Sequence, residues 1–184
     1  RQRQMCIRDR ILDYALSETT KEKSLSLQWP FYSEKNDPFT TVFRMGRAKN
    51  MQEFKDAVAT GMAPGLNILY ADKENIGWWI FGEVWKKRPG IKTDFILDGQ
   101  SGNDEILGAL AMNEKPHSEN PESGLIVSAN ARPPGYPAHL RGDWQPDDRQ
   151  KTLEKILSQN AVSYTHLRAH EISLSSYAVF CLKK

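Results

Sequence analysis

The stretch that decides the fold is LNILYADKENIGWWIFG, residues 66–82. Leu66 to Ala71 and Ile76 to Gly82 are rich in β-branched and aromatic residues, and the short polar run DKEN separates them. Two such runs around a tight turn predict a β-hairpin. In the second run Trp78 and Ile80 fall on one face of the strand, and Trp79 and Phe81 fall on the other. Large apolar side chains on both faces predict a strand that is covered on both sides, inside a layered fold.

A helix is predicted just before the hairpin, and a short strand earlier in the chain. Asn50 is a suitable N-cap for a helix over Met51–Thr60, and Glu53 completes a capping-box-like pair with it. Gly61 is placed to end this helix. Ser24–Trp29 alternates polar and apolar residues, which indicates a half-buried strand. Pro30 stops that strand, and the following SEKNDP, residues 33–38, predicts a loop.

The segments between the hairpin and residue 120 carry weaker signals. Glu83–Gly90 predicts a basic turn whose lysines and arginine either meet an anion or form an ordinary solvated charge run. Thr93–Asn120 has little periodicity and is rich in Gly, Asn and Asp. We therefore expect a long irregular region there, of the kind that often forms sites.

A strand near the carboxyl end of the chain is predicted to end in an asparagine, whose amide side chain then lies at the edge of the sheet. The run GLIVSAN, residues 124–130, predicts a strand over Leu125 to Asn130. Alternation along that strand places Ile126, Ser128 and Asn130 on one side. The next residues, ARPPGYP, predict a turn that no strand can continue through.

A helix is predicted after this turn, and it carries an arginine in its first turn. Asp147 and Asp148 favour a helix N-terminus because of the helix dipole. Arg149 lies four residues before Leu153 and seven before Ile156, so we expect it on the buried-facing side. A cation at this end opposes the dipole, which indicates that a buried partner or a site favours it there.

The two ends of the chain are predicted to come from one element of non-native DNA. Residues 1–10, RQRQMCIRDR, back-translate onto a sequence that contains CAGATGTGTATAAGAGACAG. The reverse complement of that stretch encodes VSYTHL, residues 162–167, as expected for transposase-type sequencing adapters. We therefore expect residues 1–10 and 161–184 to be adapter-derived and residues 11–160 to be part of a longer reading frame. The alternative is a genuine basic N-terminus and a genuine C-terminal strand.

Charge and cysteine content exclude several classes of function for residues 11–160. The chain has a net charge of +2, but the two ends hold seven of its 25 basic residues and two of its 23 acidic residues. The remaining 18 basic and 21 acidic residues give about −3, so basicity does not argue for nucleic acid as a partner. Both cysteines, Cys6 and Cys181, lie in the ends, which excludes disulfides, thiolate zinc sites and a cysteine nucleophile in between. No run is long enough to predict a membrane span.

Asn130 and Arg149 are the candidate catalytic residues. An asparagine amide at a strand end can donate a hydrogen bond to the oxyanion that develops during acyl transfer. Taken alone, an asparagine before Pro-Pro-Gly is more often a turn former, and Arg149 is more often an ion-pair partner within the structure. Serine–histidine–aspartate chemistry would need His117 or His139 as its base, and both are predicted in loops among ordinary turn residues.

Five segments, taken in order, resemble a known family. They are SLSLQW (24–29), NMQEF (50–54), PGLNILYADKENIGWWIFGEVWKKRPG (64–90), NPESGLIVSANARPPGYP (120–137) and DWQPDDRQKTLEKIL (143–157). Their order and spacing resemble the β-subunit of the penicillin acylase (penicillin amidase) family of N-terminal-nucleophile (Ntn) hydrolases. The resemblance covers Leu25 to Leu157.

The resemblance implies an α+β fold, here a fragment of an αββα sandwich with two sheets between helical layers. It implies a precursor, or zymogen, that cleaves itself to free an N-terminal serine. The serine hydroxyl then attacks an acyl amide with its own α-amine as base, and an acyl-enzyme forms. That serine would lie upstream of Ile11, so we expect the 184-residue chain alone to be inactive. The implied substrates are penicillin-type amides, N-acyl homoserine lactones and acylated amino acids or peptides.

Only part of the family's site carries over onto this chain. Asn130 matches the oxyanion-hole asparagine, and Arg149 matches the arginine that supports the charge balance near it. No cofactor is implied for the chemistry. A structural calcium ion would approach Asp94 through a main-chain oxygen, but Leu140 stands near the place of the family's side-chain ligand. Ala129 stands where some relatives carry an aromatic residue, and the turn DKEN lacks the glycine that is usual before Asn-Ile-Gly.

The resemblance also implies the partners and the location of the protein. The implied partners are a small-molecule acyl amide and the α-subunit from the same precursor, and neither nucleic acid nor a membrane is implied. The implied location is the periplasm. Two other functions stay open. One is a relative that keeps the fold without the nucleophile, and the other is a non-catalytic binding module whose tryptophans take up sugars or peptides. The tryptophans are Trp29, Trp78, Trp79, Trp85 and Trp144.

Overall fold

The computed structural model describes residues 10–12, 25–91, 96–136, 144–159 and 179–182. The helices are α1 (Pro38–Arg47), α2 (Met51–Ala59) and α3 (Asp148–Gln159), with a 3-10 turn at Pro30–Tyr32. The strands are β1 (Arg10–Leu12), β2 (Leu25–Leu27), β3 (Leu66–Ala71), β4 (Ile76–Phe81), β5 (Trp85–Lys86), β6 (Gly108–Ala109), β7 (His117–Glu119), β8 (Leu125–Ser128) and β9 (Val179–Leu182).

The predicted hairpin forms the central sheet, in the order β3–β4–β7, and all its pairs are antiparallel. Leu66 pairs with Phe81 and Ala71 with Ile76, so the register runs the full length of both strands. On the other side of β4, Trp79 pairs with His117. In the described parts of the chain the pairs β1–β2, β5–β6 and β8–β9 form separate two-stranded sheets.

Strand β4 is buried along its whole length, and its two faces belong to two separate apolar clusters. On one face Trp79 and Phe81 pack with Val58 of α2. On the other face Ile76, Trp78 and Ile80 pack with Ile126 of β8. This confirms the prediction of a strand that is covered on both sides.

The two clusters give the order of the layers. Helix α2 covers one face of the central sheet, β8 covers the other face, and α3 packs against β8. The layers formed by the described residues are therefore stacked in the order helix, sheet, sheet, helix. The expected α+β fold, a fragment of an αββα sandwich, is confirmed.

The carboxylate of Asp72 organises the hairpin turn in place of a glycine. Its Oδ1 accepts hydrogen bonds from the backbone N–H groups of Glu74 and Asn75 at 2.7 and 2.6 Å. Its Oδ2 accepts from the Tyr70 hydroxyl at 2.6 Å. These bonds lower the pKa of Asp72 to about 2 and raise the pKa of Tyr70 to about 12. The turn DKEN therefore closes the hairpin by side-chain hydrogen bonds.

Glu119 of β7 joins the helical layer to the central sheet. Its Oε1 accepts from Lys55 Nζ of α2 at 2.6 Å and from the indole Nε1 of the fully buried Trp79 at 3.0 Å. Burial alone would raise the pKa of Glu119, but the hydrogen bonds from Lys55 and Trp79 outweigh burial and hold this pKa below its ordinary value.

Three parts of the chain contain elements that were not predicted. Helix α1 was not predicted, although Asp37 and Pro38 form an N-terminal signal, and Asp37 Oδ1 accepts from Thr40 N–H at 2.9 Å. The predicted irregular region 93–120 is wrong in part, because it contains β6 and β7. The basic turn 83–90 contains β5, whose pairing with β6 links residues distant in the sequence.

The strands predicted over Ser24–Trp29 and Leu125–Asn130 are both shorter than expected, and the first is also more exposed. The first is limited to Leu25–Leu27, and Leu27 and Trp29 are exposed, so the expected buried face is not formed there. The strand from Leu125 ends at Ser128. Helix α2 matches its prediction, with the Asn50 side chain accepting from Glu53 N–H at 2.9 Å.

We expect Gly77→Ala to lower the free energy of unfolding of the chain by about 1–3 kcal/mol, because overpacking a dense core forces side chains off their rotamers. A Cβ atom at Gly77 would lie 2.2 Å from the ring of Trp79, which is fully buried and has no room to move. The measurement is urea unfolding followed by tryptophan fluorescence. Gly46→Ala is the matched control, because a Cβ atom there meets nothing within 4 Å. Equal stability of the two variants would contradict this packing.

Glu119 is expected to make stability depend on pH. Its pKa is lower in the folded chain than the ordinary value of 4.5, so its contribution is complete above that pH and is lost as the pH falls through the folded-state pKa. Glu119→Gln should lower stability at pH 7 by roughly 0.5–1 kcal/mol, as expected for a partly exposed ion pair. It should also flatten the decline of the unfolding midpoint as the pH falls below the ordinary pKa of 4.5, the range in which Glu119 takes up its proton. An unchanged slope would remove Glu119 from this role.

Candidate active site

Asn130 lies two residues beyond the end of β8, in a left-handed backbone conformation with φ of 62°. It is exposed, whereas its neighbours Ala129 and Ala131 are 1% and 7% exposed. A single exposed residue between two buried alanines projects from the rim of the sheet. Because the strand ends at Ser128, the alternation that was expected to place Asn130 on the side of Ile126 does not reach it.

The backbone and the side chain of Asn130 differ in their contacts. Asparagine tolerates the left-handed region better than most residues, so the interpretation of Asn130 as a turn former is consistent with its geometry. Its side-chain amide makes no hydrogen bond to any other described residue. The amide is therefore available as a donor at the rim, as an oxyanion-hole residue must be.

Two contacts close the base of the loop that follows Asn130. The backbone N–H of Gln145 donates to the carbonyl oxygen of Asn130 at 2.8 Å. The rings of Tyr136 and Trp144 pack edge to face, with centroids 5.0 Å apart. Tyr136 also packs against the Ile76–Trp78–Ile80–Ile126 cluster, and burial raises its pKa. The loop base is thereby fixed to the core on both sides of residues 137–143.

Arg149 lies in the first turn of α3, four residues after Gln145. It is half-buried together with Leu153 and Ile156, whereas Lys151 and Glu154 are exposed. The prediction that Arg149 shares the buried-facing side of the helix is confirmed. The hydrogen bond between residues 145 and 130, together with the packing of α3 on β8, brings the segments of Arg149 and Asn130 together.

The acidic start of α3 behaves as its sequence predicts. Asp148 lies in the first turn, and Asp147 Oδ2 pairs with Lys151 Nζ at 2.8 Å. The hydrogen bond to Asp147 raises the pKa of Lys151. These charges compensate one another on the exposed side, so Arg149 is the cation that α3 directs toward the sandwich.

The cationic side chains of the basic turn 83–90 bind residues of a neighbouring loop. Lys86 pairs with Glu114 at 2.8 Å, Lys87 Nζ donates to the carbonyl of Asp104 at 2.9 Å, and Arg88 donates to Asn103 Oδ1 at 3.0 Å. These contacts give each of the three consecutive cations a partner among the described residues.

The other candidate residues are His117, Asp94, His139 and Leu140. His117 lies on β7, with Nδ1 2.8 Å from the carbonyl oxygen of Lys115. Asp94, His139 and Leu140 lie outside the described residues, so the calcium prediction stays a prediction. In the described ranges no three His, Cys, Asp or Glu residues form a group that could hold a metal ion. No helix among them has the length and apolar character needed to cross a bilayer.

The tryptophans serve the fold. Trp78 and Trp79 are buried in the two clusters, and the Trp85 indole donates to Glu83 Oε2 at 2.9 Å. Trp144 packs on Tyr136, and Trp29, the exposed one, packs on Phe31 and Tyr32. This placement weakens the interpretation of the chain as a tryptophan-rich binding module.

The sequence model of the family described as penicillin amidase matches residues 7–179. The chain belongs to the penicillin amidase family. Members of this family hydrolyse acyl amides. The match crosses the predicted borders at residues 10 and 161, β1 lies at the first border and β9 lies beyond the second, so the adapter origin of the two ends stays a prediction. A short apolar segment can pair with any open sheet edge, whatever its origin.

Curated members of the penicillin amidase family that resemble this chain include acyl-homoserine lactone acylases named QuiP from Pseudomonas fluorescens. The protein of strain Pf0-1 is 29% identical over 136 residues, which are 72% of this chain and 16% of that protein. The protein of strain ATCC BAA-477 / NRRL B-23932 / Pf-5 is 27% identical over 164 residues, or 87% and 20% of the two chains. The chain thus spans about a fifth or less of the length of these relatives.

A solved structure of the penicillin amidase family has the same fold. The thermostable penicillin G acylase from Alcaligenes faecalis superposes with a TM-score of 0.58 at 24% identity. The superposition covers 70% of this chain and 23% of that one. It supports the layer order described above.

The left-handed conformation of Asn130 can be tested with two substitutions. We expect Asn130→Gly to keep the stability of the chain, because glycine adopts the left-handed region freely. Asn130→Val should lower it by about 1–2 kcal/mol, since a β-branched residue is strained at positive φ. Urea unfolding of both variants measures the difference. If valine is tolerated as well as glycine, Asn130 does not hold this conformation in solution.

Proposed function

We propose that this chain is part of a longer amide hydrolase, hereafter the longer acylase, in which Asn130 donates its side-chain amide to the oxyanion of the tetrahedral intermediate. Arg149 supports the charge balance beside it. The observation that carries the proposal is the exposed, left-handed Asn130 with an unoccupied amide among the described residues, at the rim of an αββα sandwich. A donor fixed in advance by its backbone needs no reorganisation during the reaction.

The chemistry follows from the family's reaction. An N-terminal serine upstream of residue 11 attacks the acyl carbonyl, and its α-amine, with an ordinary pKa of about 7.7–8.0, takes the proton. The amine product leaves, and water hydrolyses the acyl-enzyme. We further propose that the serine is freed from a zymogen by self-cleavage, and that the α-subunit of that precursor completes the site. The proposed location is the periplasm. We propose no cofactor for the chemistry, and a structural calcium ion near residues 94 and 140 stays a prediction.

N-acyl homoserine lactones are the first substrates to test. The relatives described above are acyl-homoserine lactone acylases, whereas the similarity to penicillin G acylase supports the fold. Either amide presents the same carbonyl to Asn130, so the acyl and amine groups decide the preference. Ala129, which is buried beside Asn130, leaves more room there than an aromatic residue would.

We expect Asn130→Gly in the longer acylase to lower kcat by roughly 100- to 1,000-fold, the usual effect of losing one oxyanion-hole donor. This substitution removes the amide and keeps the left-handed backbone, so a loss of activity does not report a broken turn. The measurement is steady-state hydrolysis of N-acyl homoserine lactones and of penicillin G, on protein whose free N-terminus has been verified.

Asn113→Gly is the control, because Asn113 is an exposed asparagine in the turn between β6 and β7 and is not a candidate site residue. It should leave kcat unchanged. Retention of half or more of the activity by Asn130→Gly would remove Asn130 from the site. The 184-residue chain itself should show no turnover, and measurable turnover by it would overturn the proposal that the nucleophile lies upstream.

A further inference from the structure

Helix α1 exposes a continuous apolar stripe on the side that faces away from the core. Phe39, Val42 and Phe43 are 87%, 60% and 63% exposed. Their spacing of three and four residues places them on one face of the helix, and Gly46 continues that face by one more turn. We call these four residues the α1 stripe.

The opposite side of α1 already packs in the fold. Thr41 is 2% exposed, and its Oγ1 lies 3.1 Å from Thr60 Oγ1 at the end of α2. Met45 packs against the Val58–Trp79–Phe81 cluster. The α1 stripe is therefore a second apolar face of this helix, and a helix that is apolar on two sides is usually covered on both.

The surroundings of the α1 stripe fit a protein segment. A Cβ atom at Gly46 meets nothing within 4 Å, so a second backbone can approach the helix closely there. Arg44 and Arg47 follow one edge of the stripe and make no salt bridge with a described residue. Arg47 lies over the Phe43 ring at 5.4 Å. A shallow cavity of about 550 Å³ lies beside the stripe and is lined by Thr40, Phe43, Arg44, Arg47, Ala48 and Glu53.

Charge argues against a second copy of the chain as the occupant. In an antiparallel pairing about a two-fold axis, equivalent edges of the two helices face each other, so each Arg44–Arg47 edge would meet its own copy. Like charges in contact are unfavourable. By contrast, the relatives are at least five times longer than the matched segment, which covers 16% and 20% of them, and most of their residues lie outside it.

We propose that the α1 stripe is the docking surface for another segment of the longer acylase. That segment presents apolar side chains to Phe39, Val42 and Phe43, a small gap-filling group over Gly46, and acidic residues to Arg44 and Arg47. The inference rests on the proposed function only in that the chain belongs to a longer acylase. It does not depend on the role of Asn130 or on turnover.

Hydroxyl-radical footprinting read by mass spectrometry tests the docking. The oxidation rates of Phe39 and Phe43 are measured in the 184-residue chain and in the purified longer acylase, each relative to Leu107, which is 57% exposed and distant in sequence. The expected result is a several-fold fall of both ratios in the longer acylase. Unchanged ratios overturn the proposal. Protection of both rings in the 184-residue chain that grows with its concentration also overturns it, because a second copy would then occupy the stripe.

A pair of variants gives an independent measurement. Phe39→Glu should leave the unfolding midpoint of the 184-residue chain unchanged, since Phe39 is already exposed there, and should lower the midpoint of the longer acylase. Leu107→Glu, the matched control, should have the same small effect in both. If Phe39→Glu has equal effects in the two proteins, the stripe docks nothing. Neither measurement uses substrate, so an inactive acylase with protected rings rejects the proposed function and keeps the docking surface.

Discussion

The burial of β4 on both faces is the constraint on which the rest of the fold depends. All six residues from Ile76 to Phe81 are buried, and the strand alternates its side chains between two clusters. One cluster fixes α2 and the other fixes β8, so the distance between the helical layer and the second sheet is set by the side chains of a single strand. Because β8 leads directly to Asn130, the position of the rim depends on the same packing.

Asn120 connects this central strand to the second sheet. Its backbone N–H donates to the carbonyl of Ile76 at 2.9 Å, its Oδ1 accepts from Ile76 N–H at 3.0 Å, and its Nδ2 donates to Asn75 Oδ1 at 2.9 Å. Immediately afterwards a turn closed by Gly124, with φ of 63°, directs the chain into β8. The motifs Asn-Ile-Gly and Asn-Pro-Glu-Ser-Gly therefore belong to one hydrogen-bonded junction, although 44 residues separate Ile76 from Asn120.

The elements that could be predicted from the sequence are those that local residue patterns determine. The hairpin, the capped helix α2 and the buried side of α3 follow from periodicity and capping within a few residues. Strand β7 could not be found this way, because His117–Glu119 is a strand only through its pairing with β4, and no alternation marks it. For Asn130, local chemistry predicted a turn, and the catalytic interpretation came from the family resemblance. Neither predicted the left-handed conformation that makes the two interpretations compatible.

The residue type at position 130 carries an argument of its own. A backbone at φ of 62° is most easily formed by glycine, which has no side-chain donor. Serine, threonine and glutamine have donors but adopt this region less readily than asparagine does. Asparagine is thus the residue that meets both requirements at once, a left-handed turn and a neutral amide directed outward. If the turn alone mattered, glycine would be the less strained choice, so the presence of asparagine between two buried alanines favours a chemical use of its amide.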